Sequence, residues 1–116
     1  MPEKYSDNNP RHLGEFEIVV MLAILRLGQD AYGVTIREEL EREISRTLTL
    51  GTIYKSLGRL EAKGYLHTRT SEPTAVRGGR RKKLYHVSVV GLRAVNRSLA
   101  DLWHLTRGLD LEWETS

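Results

Sequence analysis

The sequence predicts a mostly α protein with one small β-hairpin, in the order helix, helix, helix, strand, strand, helix. Three observations carry that reading. Four stretches repeat apolar residues every three or four positions, the spacing of one helix face. Two short alternating stretches, 65–70 and 84–87, flank a loop rich in glycine and cations, the pattern of a hairpin. The 116 residues suit one domain with a modest core, and many domains of this size gain stability by pairing.

Residues 1–12 read as a polar lead-in, with Asn8-Asn9-Pro10 as a breaker. The first helix spans 13–27. Phe16, Val19, Val20, Ala23 and Leu27 fall on one face, and Ile18, Met21, Leu22, Ile24 and Leu25 make it apolar nearly all round. That marks a central, buried helix; Glu15 and Glu17 suit its start and Gly28 its stop. After a turn at 29–31, a second helix runs from Tyr32 or Gly33 to Ile44. Ile36, Leu40 and Ile44 are its expected buried line. Glu38, Glu39, Glu41 and Glu43 are read as a solvated acidic side, with Arg37 and Arg42 as ordinary surface partners.

The third helix lies in 49–64. Leu50, Ile53, Leu57 and Leu60 form its apolar face; Thr49 caps its start and Lys63-Gly64 stops it. The opposite face carries Thr52, Lys55, Ser56 and Arg59, short hydroxyls and cations suited to phosphates and base edges. Gly51 and Gly58 inside the pattern cost roughly 1 kcal/mol each against Ala, which suggests a backbone held close to something. The hairpin follows, with Arg80, Arg81, Lys82 and Lys83 beside its loop. Ser88 caps the last helix, where Leu92, Val95, Leu99 and Leu102 alternate by three and four like a short coiled-coil seam. The expected divisions are a lead-in at 1–12, a winged helix-turn-helix at 13–87, a C-terminal dimerisation helix at 88–110 and a tail at 111–116. Helices two and three form the helix-turn-helix pair, and the hairpin is the wing.

Charge narrows the partner. Net charge is +3, but residues 46–86 hold ten Lys/Arg against two acidic residues, while the remainder holds eight against thirteen. Such asymmetry favours a polyanion, here double-stranded DNA. There is no cysteine, so disulfides and thiolate metal sites are excluded. The run 18–25 is too short to cross a bilayer and residues 1–10 lack a signal-peptide core, which predicts a cytoplasmic protein without a membrane partner. The histidines at 12, 67, 86 and 104 lack ligand spacing; His67 and His86 could face each other across the hairpin, but two such residues are more often surface polar positions than a metal site. No Ser/His/Asp grouping or phosphate-binding glycine loop is present, so neither an enzyme nor a cofactor or metal is predicted. The alternative from another class is a winged-helix module that binds protein and not DNA; the cationic Lys55, Arg59 and residues 80–83 favour DNA.

The residues Gly51-Thr-Ile-Tyr54, Leu57, Arg59-Leu60-Glu61, Gly64, the wing run Gly79-Arg80-Arg81-Lys82 and Tyr85 resemble the PadR family of bacterial transcriptional regulators. Tyr32-Gly33 and the Ser88-to-Gly91 spacing match its pattern, with Ser88 where Thr is usual. The resemblance covers about 13–99. Lys83-Leu84 replaces the aromatic often found before the wing tyrosine, and 71–77 make a longish wing. The short C-terminal part resembles the smaller branch of the family, with one dimerisation helix. The resemblance implies a homodimeric repressor on a near-palindromic operator, often relieved by a small molecule. The DNA-facing set is then Thr49, Thr52, Tyr54, Lys55, Ser56, Arg59, Arg80, Arg81, Lys82 and Lys83, and the dimer interface is Leu92, Val95, Leu99 and Leu102. Trp103, one position past Leu102, borders the seam. It either packs on the first helix near Phe16 or Val20, or meets its symmetry mate and flanks a planar aromatic molecule, as the family implies; collapse of the dimer halves without a pocket is the third reading.

Overall fold

The computed structural model describes residues 13–71 and 81–112. Three α-helices come first: Glu15–Leu27 (α1), Gly33–Ile44 (α2) and Leu50–Ala62 (α3). A single 3-10 turn, Gly28–Asp30, joins α1 to α2. The strands Leu66–Thr70 (β1) and Lys83–Val87 (β2) form an antiparallel pair, and the helix Val89–Thr106 (α4) follows. The register pairs Leu66 with Val87 and His67 with His86.

The hydrophobic α1 is the axis of the molecule. It touches α2, α3, β2 and α4, and Ile18, Val20, Met21, Ala23 and Ile24 are all buried. Around it close Ile36 and Leu40 from α2, Ile53, Leu57 and Leu60 from α3, and Tyr65, Leu66 and Tyr85 from the hairpin. Each large apolar side chain taken fully out of water adds about 1.5–3 kcal/mol of transfer free energy. The helix starts are specified locally. The Gly14 N–H donates to the Glu17 carboxylate (3.1 Å), the Tyr32 N–H to the Thr35 hydroxyl (3.0 Å) and the Thr52 N–H to the Thr49 hydroxyl (3.1 Å). Ser88 caps α4 by accepting from the Gly91 N–H at 3.0 Å, and its own hydroxyl donates to the Gly64 carbonyl at 2.7 Å.

Three expectations change. The second helix is not acidic on a solvated face throughout: Glu39 is 4 % exposed. Its carboxylate accepts from Arg26 Nε of α1 at 2.5 Å and from Arg42 one turn on, so burial is compensated by two guanidinium partners. Ile44 leaves the expected buried line and is exposed, because α2 ends there, with Ser45 in the left-handed region at φ 58. The last helix stops at Thr106 and not at Asp110, and Gly108 turns the chain at φ 81.

The base of α4 is fixed by a close approach. A Cβ at Gly91 would overlap the Tyr65 carbonyl oxygen, so only glycine lets α4 cross there. The same carbonyl accepts from the Ser88 N–H at 2.9 Å. Beyond that crossing, Ala94 and Val95 reach the core, and the C-terminal half of α4 runs out exposed.

Candidate nucleic-acid interface

Helix α3 forms because its apolar residues share one face, and burying that face aims the other at solvent. Ile53, Leu57 and Leu60 are essentially inaccessible, whereas Gly51, Thr52, Tyr54, Lys55, Gly58 and Arg59 are exposed. The Thr49 and Thr52 hydroxyls lie 3.0 Å apart at the helix start. Among the described residues neither Lys55 nor Arg59 makes an ion pair. The carboxylate of α3, Glu61, is drawn off to Lys83 of β2 at 3.4 Å. The exposed face is therefore a row of hydroxyls and of cations that no carboxylate among the described residues pairs.

Ser56 does not belong to it. The residue is 2 % exposed, and its hydroxyl has no partner among the described residues. Ser56 lies three residues after Ile53 and four before Leu60, which puts it on the inward side. Its polarity suggested the outside; its spacing placed it inside.

Tyr54 interlocks the two helices of the pair. Its ring lies where a Cβ at Gly33 would sit, so the glycine at the start of α2 is the seat of an aromatic ring from α3. The side chain remains 48 % exposed, and its hydroxyl is the atom that a Cβ at Gly33 would meet first. In the sequence Gly33 stood as a helix start and, with Tyr32, as part of the family's pattern, with no sign of the ring that it admits.

The wing closes against the same surface. Ser71 and Lys82 exchange hydrogen bonds at its base: the Ser71 N–H donates to the Lys82 carbonyl and the Lys82 N–H to the Ser71 hydroxyl, both at 2.8 Å. The Lys82 ammonium stands 4.6 Å from the centre of the Tyr32 ring, at the start of α2, and Lys83 stands 5.7 Å from that of Tyr85. Tyr85 is buried, which pushes its phenol above 10.0, with Lys83 acting in the opposite sense. Arg81 is exposed. Arg80 lies outside the described residues. The structure thus brings Thr49, Thr52, Tyr54, Lys55 and Arg59 along α3 and its N-cap, ties Lys83 to that helix through Glu61, sets Lys82 against Tyr32 at the start of α2, and adds Tyr32 to the set. Sequence reading noted Tyr32 as part of a motif without a contact to assign it.

On α4 the expected seam is split. Val95 is 1 % exposed and belongs to its own domain's core, so it is unavailable to a partner. Leu92, Leu99 and Leu102 are exposed. Trp103 follows Leu92 by eleven residues and Leu99 by four, which lines the three up on one solvent-facing stripe. Trp103 is 70 % exposed and lines an open apolar recess with Leu99, Ala100, Leu102 and Thr106. Within the single chain Phe16, Val20 and Trp103 do not come together: Val20 is fully buried and the recess at Trp103 is lined by residues of α4. Phe16 is half-buried against the core.

The family model for the "Transcriptional regulator PadR-like family" matches residues 21–97. The chain belongs to that family. Solved structures agree on the fold. A PadR family transcription regulator from Clostridium difficile R20291 is 25 % identical with a TM-score of 0.64, over 79 % of this chain and 92 % of that one. A PadR family regulator from Eggerthella lenta is 27 % identical with a TM-score of 0.58, over 78 % of each chain. Bacillus subtilis PadR, solved in complex with operator DNA, is 20 % identical with a TM-score of 0.59; the match covers 88 % of this chain and 54 % of that PadR chain. No curated protein matches the chain by sequence. This PadR-like protein is a winged-helix chain in which Lys83 of the wing base pairs with Glu61 of α3 and Lys82 stands over Tyr32 at the start of α2, and among the described residues no helix is long and apolar enough to cross a membrane.

Proposed function

We propose that this PadR-like chain is a DNA-binding transcriptional regulator, acting as a homodimeric repressor on a near-palindromic operator. The observation that carries the reading is the exposed face of α3. Thr52, Lys55 and Arg59 stand there without carboxylate partners among the described residues, flanked by the wing lysines. Thr52, Lys55 and Arg59 enter the major groove, where a good base contact discriminates by about 1–3 kcal/mol. Tyr54 and Thr49 meet phosphates beside it. Arg80, Arg81 and Lys82 follow the backbone or the adjacent minor groove, and Lys83 contributes charge while holding Glu61 away from the DNA. The dimer forms through Leu92, Leu99 and Leu102 with Trp103, which spaces two α3 helices by about one helical turn, roughly 34 Å. A planar aromatic molecule held between the two Trp103 rings lowers operator affinity by preferring a spacing that does not fit DNA.

The test is footprinting on DNA flanking the chain's own gene, followed by anisotropy titrations over a salt series. Arg81→Ala lowers affinity for all sequences alike and reduces the salt slope by roughly one unit. Arg59→Ala costs about 1–3 kcal/mol on the footprinted site and little elsewhere. Equal losses on specific and random DNA for Arg59→Ala would remove the base-reading role. A protein-binding module would show no footprint at all.

A further inference from the structure

The hairpin carries a pair of groups that DNA recognition does not use. His67 of β1 and His86 of β2 are directly opposite in the register, both exposed, with ring centres 6.3 Å apart and ring planes at 63°. We propose that the two imidazoles form a chelate for a divalent transition ion that favours nitrogen ligands: Zn2+, Cu2+ or Ni2+.

The geometry is close to what such an ion needs. A metal–nitrogen bond of about 2.0–2.1 Å puts each imidazole centre about 3.2 Å from the metal, so two rings on a tetrahedral or octahedral ion stand on the order of 5 Å apart. Closing from 6.3 Å asks for about 1 Å, which exposed side chains cover by rotating χ1 and χ2. The backbone sets the pair firmly. Hydrogen-bonded pairs alternate along an antiparallel ladder, and Ser71–Lys82 and Tyr65–Ser88 are two of them. Counting inward by twos places His67–His86 at a hydrogen-bonded position as well, so neither strand slips relative to the other. Imidazole is the ligand these ions prefer when thiolates are absent, and the chain has no cysteine.

The neighbours define the rest of the site. Two positions along the same hairpin face stand Arg69 and Leu84. The Arg69 guanidinium donates to the Gln29 side-chain carbonyl at 3.3 Å, which engages that cation with the turn between α1 and α2. Among the described residues no third His, Cys, Asp or Glu joins the pair to make a group of three. Water therefore completes the coordination, and the ion exchanges readily. Its effect is to join β1 to β2 covalently in all but bond type, at the root of the wing. Binding to the folded hairpin and not to the unfolded chain raises stability with metal concentration. This site stands apart from the DNA reading and survives its failure.

The experiment uses the full chain without a histidine tag. Calorimetric titration with ZnCl2 and with NiCl2, and imidazole 1H–15N spectra, are recorded for the parent, His67→Gln and His86→Gln. The expected result is one ion per chain, with the two imidazole signals shifting together. Either variant loses at least tenfold in affinity, Zn2+ raises the melting temperature of the parent only, and MgCl2 does nothing. Undiminished binding in both variants would hand the ion to His12 or His104 and overturn the assignment. So would the absence of any Zn2+ binding at millimolar concentration.

Discussion

Ser56 shows how a single side chain separates polarity from position. Its hydroxyl is buried without a partner among the described residues, and an unpaired buried hydroxyl costs about 1–3 kcal/mol. Ser56→Ala is therefore expected to raise the urea midpoint, by about 1 kcal/mol of stability, while leaving DNA affinity unchanged; a DNA-facing serine would give the reverse. Gly33 makes the complementary case. Its missing Cβ is occupied by the Tyr54 ring, so Gly33→Ala forces the ring off its seat and costs about 1–3 kcal/mol. Combining it with Tyr54→Ala should cost much less than the sum of the two single losses, a coupling that a thermal-unfolding double-mutant cycle measures. Neither effect was legible in the sequence. Helical spacing alone puts Ser56 inward, but its hydroxyl competed with that signal, and no local pattern reveals which ring a glycine admits.

At the scale of elements, the sequence was readable where periodicity is long. The helix α1 was expected at 13–27 and spans Glu15–Leu27; α2 and both hairpin strands also fall within a residue or two of expectation. The caps Thr49 and Ser88 were legible because an N-cap hydroxyl acts locally. The packing side of α4 was not. A three–four alternation names a face without saying what covers it, and Val95 turns inward while Leu99 turns out. That difference gives a paired test. Leu99→Asp keeps the fold, by circular dichroism, and yields a monomer by sedimentation in the dimer proposed above. Val95→Asp buries an uncompensated carboxylate in the core and unfolds the chain at room temperature. A dimer that persists in Leu99→Asp would move the interface off this stripe.

For the whole molecule, the order of elements and the winged architecture were readable, while the tertiary partners of charged groups were not. Glu39 looked like one more surface carboxylate because its partner Arg26 is thirteen residues away on another helix. The core also carries a pH dependence. Tyr65 and Tyr85 are 2 % and 5 % exposed, and burial raises both phenols above 10.0; for Tyr65 the Glu17 carboxylate adds to the rise and Arg97 opposes it. An unfolded tyrosine ionises first, so the folded state binds more protons above pH 10 and stability falls as pH rises through that range. Urea midpoints should be flat from pH 8 to 9 and fall beyond 10, less steeply in Tyr65→Phe. Finally, α4 is held by its own domain only near Gly91, Ala94 and Val95, and the rest of its 18 residues run free. At 1.5 Å per residue, the rod is about 27 Å long. In the dimer proposed above, joined by the free ends, this helix would act as a lever arm with its fulcrum at the core: a tilt of about 5° at the joint would swing the far end of a rod of about 27 Å by about 2 Å. That is more than half of the roughly 3.4 Å rise of one base pair, so a small change at Trp103 would be geared up into a misfit of the proposed recognition helices on DNA.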